Sequence, residues 1–122
     1  TCLLFQTHYN YFICIPYKTE ISHRYAFHFT NTLRAKKHKS GLDYSKIVII
    51  EKSEYIDSTD AIIDKDEFNE TMVNLGRIKK ESLNFVEDYI AHMKGEKPLH
   101  KKEFDRRYGY SPLRYFHKEL GI

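Results

Sequence analysis

The segment Pro16-Tyr17-Lys18-Thr19-Glu20-Ile21-Ser22-His23-Arg24 brings an ammonium, two hydroxyls, an imidazole and a guanidinium within seven residues. It lies between an apolar run and an aromatic run, and polar loops held by a rigid sheet are where catalytic groups are usually positioned. These residue types suit the cutting of RNA without a metal, in which the 2′-hydroxyl attacks the neighbouring phosphodiester. That step needs one group to accept a proton, one to donate to the leaving oxygen, and cations around the pentavalent phosphate. Lys18, Thr19, Ser22 and His23 are the candidate catalytic residues: Lys18 to stabilise the phosphorane charge, Thr19 and Ser22 to orient the phosphate, His23 to shuttle protons. Each also has an ordinary structural reading: a solvated strand-end lysine, turn hydroxyls and an exposed loop histidine.

A second segment, Lys39-Ser40-Gly41-Leu42-Asp43-Tyr44-Ser45-Lys46, leads into Ile47-Val48-Ile49-Ile50. Tyr44 and Lys46, two residues apart, share one side of the strand entrance and could face the groove of the first loop. Asp43 reads as a turn cap. The alternative is that Tyr44 plugs a sheet edge and Lys46 guards it against edge-to-edge pairing. Tyr17, Arg24, Lys36, Lys37, Lys39, Tyr44 and Lys46 are the candidate RNA-binding residues.

The charge pattern agrees with a polyanion partner. The chain has 122 residues, 20 Lys plus Arg against 17 Asp plus Glu, and a formal charge of +3. Residues 1–16 carry none of these side chains, 17–46 carry seven basic and two acidic, 47–96 six basic and twelve acidic, and 97–122 seven basic and three acidic. Clustered Lys and Arg among Tyr, Phe and His can neutralise phosphates and stack on bases, although charge runs in short domains also serve solubility.

The elements that must position these residues follow from periodicity. Residues 2–7 and 10–15 predict a hairpin with its turn near His8 to Asn10, and Pro16 is expected to end the second strand. Arg24 to Thr30 alternates as a strand, with Tyr25, Phe27 and Phe29 on one face and Ala26 and His28 on the other. Residues 31–41 lack period and predict a mobile loop closed by Gly41. Ser45 to Glu51 is β-branched and reads as a strand buried on both faces.

The second half is helical. Asp64 and Glu67 resemble a capping box before a helix over 66–75 that Gly76 can break. Leu83, Val86, Tyr89, Ile90 and Met93 give an amphipathic helix over 79–93, ended by Gly95. Lys101 to Tyr108 forms a short basic helix. Ser111-Pro112 caps a last helix lined by Leu113, Phe116, His117 and Leu120 and closed by Gly121. Strands first and helices afterwards predict one α+β domain over residues 1–122, an antiparallel sheet covered by C-terminal helices.

Several classes are disfavoured. No nucleotide-binding glycine motif, zinc-protease motif, nucleophile elbow or calcium loop occurs, so no cofactor and no metal site are expected. Cys2 and Cys14 sit in apolar contexts and are expected to be small buried hydrophobes rather than a disulfide or metal ligands. No apolar run reaches the roughly 18 residues of a membrane span and no signal peptide is evident, which makes a cytoplasmic location the expectation. The chain starts without Met inside an apparent strand, so a further upstream segment is expected.

The order Leu3-Leu4-Phe5, short turn, Tyr11-Phe12-Ile13-Cys14-Ile15-Pro16, a Lys/Ser/Thr loop, Gly41-Leu42-Asp43-Tyr44-Ser45-Lys46-Ile47-Val48-Ile49-Ile50 and a late Phe85-Val86-Glu87-Asp88-Tyr89-Ile90 helix resembles the ToxN/AbiQ-like toxins. These are endoribonucleases of bacterial type III toxin–antitoxin systems, which act in phage abortive infection. The CptN and TenpN branches are the most similar, because the loop reads Pro-aromatic-basic-Thr and then Ser-His-basic. The resemblance implies a compact twisted antiparallel sheet with a barrel-type core like that of Kid and MazF. It implies metal-independent cleavage that leaves a 2′,3′-cyclic phosphate. The implied partners are cellular RNA substrates and an antitoxin RNA of pseudoknot repeats, which the toxin processes and with which it forms a heteromeric protein–RNA assembly. The family's catalytic loop carries Thr, Ser and Lys; here Lys18 and Thr19 occupy its beginning, Ser22 and His23 lie just beyond, and the basic residue has moved relative to the ToxN order, so the resemblance carries over only in part. The family also brings a Tyr and a Lys from upstream of the first strand.

Two non-enzymatic readings stand beside this one. The same basic groove could bind RNA without cutting it, or the acidic stretch 51–70 could be a protein contact surface.

Overall fold

The structure is a computed structural model describing residues 1–51 and 63–122; residues 52–62 of the acidic stretch 51–70 lie outside the described residues. It is an α+β fold with a five-stranded antiparallel sheet; one short helix lies between the third and fourth strands, and the remaining helices of the described residues follow the sheet. The strands are β1 (Cys2–Gln6), β2 (Phe12–Lys18), β3 (Ala26–His28), β4 (Gly41–Asp43) and β5 (Val48–Ile50). The helices are α1 (Leu33–Lys37), α2 (Lys65–Val73), α3 (Leu75–Met93), α4 (Lys101–Tyr108) and α5 (His117–Leu120).

β1 and β2 form the expected hairpin, with Leu4 opposite Cys14 and Gln6 opposite Phe12. Its turn is fastened by Thr7, whose hydroxyl donates to the Tyr11 carbonyl at 2.8 Å and accepts from the Tyr9 amide at 3.1 Å. β2 does not end at Pro16. It continues to Lys18, and its other edge serves β5 from Phe12 to Cys14 and then β4 at Tyr17 and Lys18. Pro16 falls in the gap between these two partners, where a missing amide breaks no ladder bond. Among the described residues, β1 and β3 stand at the two ends of the strand path and do not pair, so the sheet is not closed.

The hairpin register also overturns the reading of the cysteines. Cys2 pairs with Pro16 and Cys14 with Leu4, so the two cysteines lie diagonally on one face, and they form a disulfide with their Cα atoms 5.9 Å apart. Twelve residues of sequence separation conceal a proximity that antiparallel pairing creates.

Other local expectations shift. The 31–41 stretch is not a featureless loop: Thr32 caps α1 by accepting from the Ala35 amide, and Gly41 opens β4. Gly41 is required there, since a Cβ would stand 2.1 Å from the Phe27 carbonyl oxygen of the neighbouring strand. Ser45 to Glu51 is a 3₁₀ turn over Tyr44–Lys46 followed by the short β5, in which Ile49 is buried and Val48 and Ile50 are partly exposed. β3 keeps the predicted faces, with Phe27 buried and His28 exposed, but it spans fewer residues than the alternation did.

In the helical half, Asp64 makes no side-chain cap bond because its carboxylate is taken by Arg34 at 2.9 Å. The break between α2 and α3 is at Asn74, whose side chain donates to the Glu70 carbonyl; Gly76 lies inside α3. α3 buries Ile78, Ser82, Phe85, Val86 and Tyr89 and leaves Met93 exposed. The last predicted helix is divided into a 3₁₀ turn over Pro112–Tyr115, capped by Ser111, and α5, which ends at Gly121 with φ 77°. The core joins Ile13, Ile15, Phe27, Leu42, Ile47 and Ile49 of the sheet to Ile78, Phe85, Val86, Tyr89, Tyr108 and Leu113 of the helices. No helix of the described residues is long and apolar enough to cross a membrane.

Candidate functional site

The loop after β2 is held at two points. Glu20 turns the chain through the left-handed region with φ 56°, and its carboxylate meets His38 Nδ1 at 2.5 Å. Ile21 is 3% exposed, and its amide donates to the Lys39 carbonyl at 2.8 Å. With Ile21 plugged inward, Lys18, Thr19 and Ser22 are exposed on the outer side of the loop.

His23 is a third anchor. Its Nδ1 accepts from the Tyr25 amide at 3.1 Å, which leaves Nε2 as the protonated nitrogen of the neutral ring. Nε2 stands 3.2 Å from Asp43 Oδ1 and 3.3 Å from Ser45 Oγ. Ser45 Oγ donates to the same Asp43 oxygen at 2.6 Å, and the Ser45 amide does so at 3.0 Å. Ser45 and Asp43 therefore both meet one nitrogen of His23. A nucleophilic triad needs them on opposite nitrogens, so this arrangement does not activate the serine.

These residues line a cleft of about 480 Å³. Its lining joins Lys18, Thr19, Ser22 and His23 of the loop to Asp43, Ser45 and Lys46 and to Arg106, Arg107 and Tyr110 from the C-terminal helical part. Four cationic side chains thus converge against the carboxylates of Glu20 and Asp43. Glu103 lies behind the arginine pair, bonded to Arg107 Nε at 2.7 Å and to Arg106 at 3.3 Å. The Arg107 hydrogen bond holds its carboxyl below the usual range. Lys46 Nζ donates to the Tyr110 carbonyl at 3.0 Å. A cleft with this balance can hold an anion and offer it hydroxyl and imidazole donors.

The other predicted residues are elsewhere. Tyr17 alternates away from Lys18 along β2 and is half-buried against α2, its hydroxyl 3.1 Å from Thr71 and its acidity weakened by burial. Tyr44 does not share the groove of Lys46. It is buried, donates to Glu81 at 2.9 Å, and burial followed by that bond raises its pKa. The 3₁₀ turn separates the two side chains that a strand would have aligned. Arg24 lines an adjoining groove with Tyr25, Arg77 and Arg107. Lys36 and Lys37 project from α1 and Lys39 follows it, exposed and outside the cleft lining.

Sequence reasoning did not single out Ser45, Arg106, Arg107 or Tyr110 for the site. The basic tail was the available signal for the arginines; their approach to the loop is a tertiary contact. A second cavity of about 450 Å³, beside Tyr9 and Tyr11, is lined by Glu87, Asp88 and Glu96 against Lys94 and Lys97, and its charge disfavours a polyanion. Among the described residues, no group of three or more His, Cys, Asp or Glu is arranged to hold a metal ion.

Fold and cleft together define an α+β domain with a cation-rich polar cleft between a sheet-end loop and a C-terminal helix. Comparison with family models, with curated proteins and with solved structures finds no match for the chain.

Proposed function

We propose that this chain is an endoribonuclease toxin of the ToxN/AbiQ-like, type III class, acting in the bacterial cytoplasm under the control of a pseudoknot-forming antitoxin RNA. The observation that carries the reading is the convergence of Lys18, Thr19, Ser22, His23 and Lys46 with Arg106 and Arg107 on one cleft. In the reaction, the 2′-hydroxyl oxygen bonds to phosphorus, the bond to the 5′-oxygen breaks, and the leaving oxygen takes up a proton. The products are a 2′,3′-cyclic phosphate and a 5′-hydroxyl. Lys18 and the arginines neutralise the phosphorane, and Thr19 and Ser22 donate to its non-bridging oxygens. Once released from Asp43 or from the Tyr25 amide, His23 takes the proton of the 2′-hydroxyl and delivers it to the leaving 5′-oxygen. A Kid/MazF-like core belongs to the same proposal, supported by the way β2 serves β5 and β4 in turn along one edge.

The test is incubation of the protein with adenine-rich RNA in EDTA, followed by analysis of the fragment ends. Cyclic phosphate ends are expected. Uncut RNA, or cleavage only on addition of Mg²⁺, refutes the mechanism.

The engagement of both His23 nitrogens favours a second reading, a module that binds RNA in this cleft without cutting it. That module would hold RNA tightly in the same assay and leave it intact, and its binding would survive Lys18→Ala.

A further inference from the structure

We infer that Tyr110 is a base-stacking residue of the cleft, so that the site takes unpaired RNA with one base laid on the Tyr110 ring beside the held phosphate. The inference rests on the RNA-binding half of the preceding proposal and adds the residue that selects the form of the RNA.

Tyr110 lines the cleft yet is 85% exposed, while Tyr108 and Leu113 on either side of it are buried. Its position is fixed from both directions. The Ser111 amide donates to the Tyr108 carbonyl at 3.0 Å, and Ser111 Oγ accepts from the Leu113 amide at 3.1 Å. Gly109 admits no side chain, because a Cβ would stand 2.4 Å from the Asp105 carbonyl oxygen. The backbone that presents Tyr110 is therefore anchored although the ring itself is not packed away.

The surroundings of the ring fit a nucleotide. Lys46 Nζ holds the Tyr110 carbonyl and lies 5.7 Å from the ring centroid, and Arg106 and Arg107 line the same cleft. An exposed aromatic face beside several cations is how strands without base pairing are held: bases stack on the ring while the charges follow the backbone. Bases inside a duplex already stack on one another and offer no free face.

The test uses the full chain and a single-stranded RNA with every 2′-hydroxyl methylated, so that it cannot be cut, and with 2-aminopurine as a reporter base. Binding is read by anisotropy and stacking by quenching of the reporter. Tyr110→Ala should weaken binding about 5- to 150-fold and abolish the quench, as expected for loss of one base–aromatic stack. Tyr110→Phe should preserve both, and Tyr115→Ala, an exposed tyrosine outside the cleft, should change neither. A duplex of the same sequence should be bound equally by the wild type and Tyr110→Ala. The inference is overturned if Tyr110→Ala binds and quenches like wild type, if Tyr110→Phe loses as much as Ala, or if the wild type does not bind the strand. Failure of the cleavage proposal is distinguishable, since it leaves stacking intact and unmodified RNA uncut.

Discussion

His23 and Asp43 meet with Nε2 3.2 Å from Oδ1, joining the loop after β2 to the end of β4. Asp43 is 6% exposed and also receives the hydroxyl and amide of Ser45, so one carboxylate caps the 3₁₀ turn and orients the imidazole. Asp43→Ala should cost about 1–2 kcal/mol through loss of the cap, and more if the Ser45 hydroxyl is left unsatisfied. Urea unfolding of the variant measures this; an unchanged midpoint would mean that the turn does not depend on Asp43.

Lys18→Ala and His23→Ala test the cleft as a catalytic site. Each should lower RNA cleavage by roughly 10²- to 10⁴-fold, the range for removal of a positioned charge donor or proton-transfer group. Growth inhibition should disappear while binding of the antitoxin RNA persists. Should both variants remain toxic, the loop is the wrong one.

Glu67 supplies a pH signature. Its side chain is 5% exposed with Arg34 at 3.8 Å, and burial raises its pKa more than the arginine lowers it. The folded state therefore holds this proton more tightly than the unfolded chain, and stability falls as pH rises from the ordinary glutamate pKa, about 4.3, through the raised folded value. Glu67→Gln removes that dependence. Its unfolding midpoint should exceed that of the wild type at pH 7.5, and the gap should narrow toward pH 4. A constant gap across this range would show that Glu67 does not titrate abnormally.

The Cys2–Cys14 bridge closes a short loop across the hairpin, with a sequence separation of 12. On a chain-entropy basis it contributes roughly 3 kcal/mol. Mild reduction, or Cys14→Ser, should lower the Tm, and alkylation without reductant should leave both cysteines unlabelled. Complete labelling of the native protein would contradict the bridge. A bridge that stays oxidised in cells would point to an oxidising compartment, so the thiol status of Cys2 and Cys14 in cells tests the proposed cytoplasmic location.

Local signals were legible where one element was enough to express them. The β1–β2 hairpin, the αL ends at Gly95 and Gly121, the Ser111 cap and the Asp43 turn follow from residue types a few positions apart. So does the broad α+β order, because the period of two is confined to the first half and the period of three to four to the second; the five-residue α1 between β3 and β4 carries no periodic signal. The errors arose where a neighbouring segment decided the outcome. Pro16 remains in a strand because β5 ends before it and β4 begins after it. Asp64 gives its carboxylate to Arg34 rather than to its own helix.

The candidate site divides in the same way. The sequence by itself determined that a polar, basic loop follows an apolar strand, and that a basic segment ends the chain. Only the tertiary structure decided that Lys18, Thr19, Ser22 and His23 share a cleft with Lys46, Arg106, Arg107 and Tyr110, and that Tyr17 and Tyr44 turn into the core. The physical reason is that composition and periodicity act over one or two turns of chain. The meeting of the loop with α4 is set by the packing of Tyr108 against Phe85 and Tyr89 of α3, residues far from the loop in sequence.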